Sequence, residues 1–65
     1  MSLIKVIEVK AEGKTREEAV KNAVKKASEI KYNIKSVYVG NISGVVEANK
    51  ITKYRLSARI AVLLN

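Results

Sequence analysis

The chain has no Cys, no His, no Pro, no Trp, no Phe and no Asp, and only three Gly and one Met among 65 residues. Each absence removes a class of chemistry. Without Cys and His there is no disulfide, no zinc site and no Ser–His or Cys–His pair to make a nucleophile. Without Asp, the six Glu are the whole supply of side-chain carboxylates, so a hard-cation site would need Glu from several subunits. No stretch approaches the roughly 18 apolar residues of a helical membrane span, and no apolar segment follows the N-terminus as in a secretory signal, so a soluble, cytoplasmic protein is expected. A chain of 65 residues has room for one domain, 1–65, with a small core. Disulfides and Cys- or His-bound metals, the usual reinforcements of such a domain, are closed to it, and association with other copies is left.

What is present is aliphatic and basic. The apolar share is 48%, carried by Ile, Val, Leu and Ala, with Tyr32, Tyr38 and Tyr54 as the aromatics. Ten Lys and three Arg against six Glu give a net charge of +7. That charge suits an anionic partner, and equally a set of solvated Lys that keeps a concentrated assembly soluble.

Ile4 to Ala11 is rich in β-branched residues and alternates, which predicts a first strand ending at Glu12-Gly13-Lys14. Thr15 and Glu18 stand at the spacing at which hydroxyl and carboxylate each satisfy a free N–H at a helix start. The helix then carries Ala19, Val20, Ala23, Val24, Ala27 and Ile30 on one face and is expected to end near Lys31, with the turn at Lys31-Tyr32-Asn33. Glu17 and Lys21 make an i, i+4 pair on the wet side. Two long strands follow, Ile34 to Glu47 and Ile51 to Leu64, joined at Ala48-Asn49-Lys50. Fourteen residues of strand reach about 46 Å, whereas the helix covers about 26 Å, so the hairpin overhangs it. Gly40 and Gly44 are the expected bends or bulges. The fold class is α+β: a β-α-β-β subunit with a three-stranded antiparallel sheet covered by one helix.

Alternation places Tyr54, Leu56, Ala58, Ile60, Val62 and Leu64 toward the helix, with Val37 and Val39. The opposite face then holds Ser36, Tyr38, Gly40 and Ile42 beside Arg55, Ser57 and Arg59, a mixed and strongly positive surface. Long bare sheet edges invite pairing with another chain, so a homo-oligomer is expected. Two Arg on one strand face require an anion, a carboxylate or water. Ser36, Tyr38, Arg55, Ser57 and Arg59 are therefore the candidate ligand-binding residues, for a small anionic ligand at a subunit junction. The competing explanation is an intersubunit salt bridge to Glu8 or Glu47. Glu17 and Glu18 read as helix-start carboxylates rather than a site, and Gly13-Lys14-Thr15 is far short of a phosphate-cradling loop.

Lys5 to Val9, a Gly-containing turn, the acidic Ala-rich helix Glu17-Glu18-Ala19 to Ser28, Asn33-Ile34-Lys35 opening a long hairpin, and Ile51 to Leu56 returning it together resemble the dodecins. The resemblance implies a subunit whose sheet wraps its helix, twelve copies forming a hollow shell, and a flavin stored at the junctions, with no catalytic residues. It also marks departures. Ser36 stands where the flavin-binding members carry a stacking tryptophan, and Arg55 where they carry a flavin-contacting glutamine. Tyr38, two residues from Ser36 on the same face, is the substitute at hand. A branch of the family without the tryptophan is linked to calcium, which a chain without Asp and with a positive face suits less well than an anion does. The expectation is a small-ligand storage shell with a degenerate flavin site and no metal. A nucleic-acid-binding module is the alternative that the +7 charge raises, against the lack of a stacking row and a recognition helix. Tautomerase-like miniature enzymes, which use an N-terminal Pro as base, are excluded by the lack of Pro.

Overall fold

The computed structural model describes residues 3–30 and 33–64. The element order is β1 (Leu3–Gly13), α1 (Arg16–Ser28), β2 (Asn33–Glu47) and β3 (Lys50–Leu64). The three strands form one antiparallel sheet in the order β1-β3-β2, so β3 is the central strand.

Thr15 starts the helix. Its hydroxyl accepts from the Glu18 N–H at 3.0 Å, and the Glu18 carboxylate reaches back to the Lys14 N–H at 3.3 Å. The first bond satisfies one of the donors that every helix start leaves free, and the second ties down the residue before the cap. Glu17 and Glu18 in the first turn and Lys25 and Lys26 in the last suit the helix dipole. The regular helix stops at Ser28, whose hydroxyl donates to the Lys25 carbonyl, and Ile30 N–H folds back onto the Ala27 carbonyl. The expected end near Lys31 is thus too late, and Ile30, expected on the buried stripe, is exposed. Lys31 and Tyr32 of the expected turn lie outside the described residues.

The core sits between α1 and one face of the sheet. Ala19, Ala23 and Ala27 are fully buried against Val9, Leu56, Ala58, Ile60 and Val62, with Ile7, Val20, Ile34, Val37, Val39 and Leu64 around them. Alanine at i, i+4 and i+8 lets the helix backbone lie close to the strands. Gly13 takes this furthest: a Cβ there would lie 2.4 Å from the Ala19 nitrogen. The strand end and the helix start are packed backbone to backbone, which explains Gly13 without any ligand.

Two residues, Ala48 and Asn49, close the hairpin, both with positive φ of 51° and 63°. This is the handedness of the turn that best fits twisted strands. The pairing of β2 with β3 shifts register at three places, between Ile34 and Ser36, Val39 and Ile42, and Val45 and Val46. Gly40 lies in the second, as expected. Gly44 does not mark a bulge; it pairs regularly with Tyr54. The second shift also corrects the face of Ile42. It pairs with buried Leu56, so it lies on the helix side and not beside Arg55, because the bulge adds a residue and inverts the alternation beyond it.

The ribbon overhangs its helix, giving extents of 52 × 18 × 13 Å and a radius of gyration of 13.4 Å, against about 10.7 Å for a compact chain of this length. Its accessible surface is 4993 Å², where about 4,100 Å² is usual for the mass.

Candidate functional site

The face turned away from α1 is built in rows across β1, β3 and β2. Val6, Ala61 and Ser36 form one row, and Glu8, Arg59 and Tyr38 the next. Lys10 and Ser57 follow, with Gly40 and Asn41 of the bulge beside them. Glu12, Arg55 and Ser43 complete the set. All five candidate residues, Ser36, Tyr38, Arg55, Ser57 and Arg59, therefore share this face, but they do not share one site.

Ser36, Tyr38 and Arg59 line a shallow depression of about 400 Å³ with Val6 and Ala61. Its walls are apolar and aromatic, with one guanidinium. Tyr38 is 69% exposed and Val6 60%, so a flat apolar body has side-chain surface to lie on. Ser57 joins Tyr38 and Arg59 in a neighbouring hollow of about 330 Å³, and with Arg55 it lines a groove of about 660 Å³ that runs round to Asn22 and Lys26 of α1. Arg55 lies six positions along β3 from Ala61, the partner of Ser36, or about 20 Å. Turned towards Glu12, it is out of reach of a small molecule seated against Ser36.

The charge of the face also differs from expectation. Alternation along the hairpin alone shows two unopposed Arg, and the surface looks strongly positive. In the sheet, β1 sets Glu8 directly opposite Arg59 and Glu12 directly opposite Arg55. Glu12 Oε2 accepts from Arg55 Nε at 2.6 Å and Oε1 from Lys53 Nζ at 3.2 Å. The Arg55 hydrogen bond, then that from Lys53, holds the Glu12 carboxyl below the usual carboxylate range. Within the chain, the carboxylate partner of Arg55 is thus Glu12. Glu47 sits at the hairpin end, where Thr52 donates to it. Face assignment for β1, which the alternating Glu8, Lys10 and Glu12 allow, was the signal that finds Glu12.

One sheet edge is partly closed from within. Asn22 Nδ2 donates to the Glu12 carbonyl at 2.7 Å and Lys26 Nζ to the Lys10 carbonyl at 3.2 Å. The outward-pointing carbonyls at the end of β1 are thus capped by helix side chains, while the same alternation leaves the backbone groups of Ile4, Val6 and Glu8 facing off the edge. Tyr54, on the helix side, carries the Arg16 guanidinium 5.7 Å from its ring centre. Among the described residues no three carboxylates gather as a metal site would need, and no helix is long and apolar enough to cross a membrane.

The family model Dodecin matches residues 3–65. The chain belongs to the dodecin family. Its fold agrees with a solved structure, the dodecin from Streptomyces davaonensis, with a TM-score of 0.91 over 98% of this chain and 96% of that one. At 15% identity that likeness speaks for the fold alone. No curated protein sequence matches. Ser36 is an exposed hydroxyl beside Ala61, and Tyr38 is the aromatic ring lining the depression.

Proposed function

We propose that this dodecin-family chain is a small-ligand binding and storage protein, acting as a homododecameric shell with a degenerate flavin site. It is a binding protein rather than an enzyme. The family match over residues 3–65 carries this reading. Two features of the subunit support it. Its surface exceeds that of a compact chain by about 900 Å², close to the roughly 800 Å² per partner of a standard stable interface. Ser36 and Arg55 lie at opposite ends of one face, so a small ligand that touches both takes them from different copies.

The ligand chemistry follows from the depression at Ser36. Tyr38, Val6 and Ala61 offer apolar contact and Arg59 a guanidinium, which suits a flat ring bearing an anionic group. Without the tryptophan, an isoalloxazine ring loses stacking of about 1–3 kcal/mol, a value measured for bases on aromatic side chains. Flavin is then held weakly or replaced by another anionic ring. The nucleic-acid alternative is disfavoured by Glu8 and Glu12, which interrupt the positive face at both Arg rows.

Native mass spectrometry of the purified protein tests the reading in one measurement, since it reports subunit number and any retained ligand. Twelve subunits are expected, and a monomer or dimer at micromolar concentration refutes the shell. Riboflavin added to the protein is expected to keep its fluorescence, because no tryptophan is present to quench it.

A further inference from the structure

The second groove is built by one chain, and the Glu12–Arg55 ion pair is part of its lining. Lys10, Lys26 and Arg55 supply three positive charges to its lining, Asn22, Asn41, Ser43 and Ser57 supply neutral hydrogen-bonding groups, and Ala11 and Leu56 form apolar wall. The one carboxylate in the lining is Glu12. It engages Arg55 through Nε, the inner edge of the guanidinium, at 2.6 Å, and that contact leaves the terminal nitrogens available. The same carboxylate holds Lys53. Both members of the Glu12–Arg55 pair are about half exposed, at 47% and 59%, so the pair can open without unpacking the core.

We propose that this groove binds a small oxyanion of the phosphate class, through Arg55 with Lys10 and the Ser43 and Ser57 hydroxyls. Glu12 is the built-in competitor that an incoming anion displaces from Arg55. The geometry gives Glu12 two effects. It holds the guanidinium over the groove rather than swinging free, and its own charge sets a threshold that a weakly charged anion does not pass. A dianion, with more charge and more acceptor oxygens than one carboxylate, competes best. The inference rests on reading the outward face as a ligand-binding surface, and it adds the ligand class and a selectivity residue at the Arg55 end.

The test is a double-mutant cycle on the full-length protein, with inorganic phosphate as the probe, titrated calorimetrically at constant ionic strength. Glu12→Gln is expected to tighten phosphate binding about three- to fivefold, and Arg55→Gln to weaken it by at least as much. In the Arg55→Gln background, Glu12→Gln is expected to give no gain, because the competition has lost its object. The same gain in both backgrounds would mean only a general charge effect and would overturn the proposal. So would an unchanged affinity in Glu12→Gln, or no phosphate binding by either protein. Subunit number and riboflavin titration of the same variants report separately on the shell and on the Ser36 end, so either reading can fail while the other stands.

Discussion

Replacing Gly13 by Ala is the smallest change that tests how the helix is held on the sheet. Among the described residues no Gly has a positive φ, so the substitution strains no backbone angle and its effect is contact alone. The added methyl would lie 2.4 Å from the Ala19 nitrogen, 2.8 Å from the Glu18 carbonyl carbon and 2.9 Å from the Ala19 Cα. All three are helix backbone, and no rotamer can move them aside. Ordinary contact requires the first turn of α1 to recede by about 1 Å, which opens a gap beside fully buried Ala19 and forfeits a quarter to a half of each affected contact. Overpacking of this kind costs about 1–3 kcal/mol, and the stiffer unfolded chain returns about 0.4–1 kcal/mol. A net loss of about 1.3 kcal/mol is expected, or about 5–10 °C in Tm for a chain of this size. Thermal and urea unfolding at one fixed protomer concentration measure it, since assembly makes stability depend on concentration. Gly40→Ala is the control: its methyl meets the Ser57 carbonyl oxygen at 3.1 Å within a bulge that can yield by a few tenths of an ångström. A Gly13→Ala protein within about 0.5 kcal/mol of the parent, or no worse than Gly40→Ala, refutes the backbone-to-backbone account.

Ser36→Trp places an aromatic plane on the exposed outward row beside Ala61; it is expected to quench riboflavin and tighten its binding about tenfold, and unchanged fluorescence would show that more than the ring has been lost. Ala48 and Asn49 both adopt positive φ, which Ala dislikes, so Ala48→Asn with Asn49→Gly is expected to stabilise the hairpin by about 1 kcal/mol in urea unfolding; a destabilised protein would contradict the turn geometry. Glu12 is more acidic in the folded chain than in the unfolded one, so its pairs contribute fully above the ordinary Glu value of about 4.3 and are lost as pH falls through the lowered value. The stability difference between the parent and Glu12→Gln should therefore be present near neutral pH and vanish at the acid end; a difference that does not change with pH would refute the ion pairing.

The elements were legible because their signals are local. Thr15 and Glu18 mark the helix start at the residues that cap it, and the aliphatic row from Leu56 to Val62 is the row that is buried. Register was less legible. A bulge needs an unpaired residue, and Gly40 announces one, but nothing in Lys35 of β2 or Thr52 of β3 does. The face of Ile42 depends on that extra residue and so could not be read from alternation within β2. The site suffered in the same way: Ser36, Tyr38 and Arg59 stand in adjacent rows as their spacing implies, whereas Arg55 was separated by distance along β3 and neutralised from β1. Its partner Glu12 is 43 residues away in sequence, and only the β1–β3 register brings the two together.

That register also leaves this chain, with its small core, surfaces suited to other copies under the proposed shell. The helix meets the sheet through three alanines, so the contact is close but thin, and most of the ribbon extends past it. Exposed Val46 and Ile51 pair with each other at the hairpin end, and exposed Ile4 and Val6 lie at the other end of the sheet. Asn22 and Lys26 close the β1 edge only at Glu12 and Lys10, whereas β2 has a single strand neighbour along its whole length. Apolar ends and an open β2 edge are thus surfaces for which one chain has no partner of its own. The interior of the outward face, by contrast, sets Glu8 opposite Arg59 and already pairs Glu12 with Arg55. Association that covers the ends and the edge would leave those polar rows lining the spaces between copies, where a ligand exchanging with Glu12 or resting on Tyr38 finds its contacts.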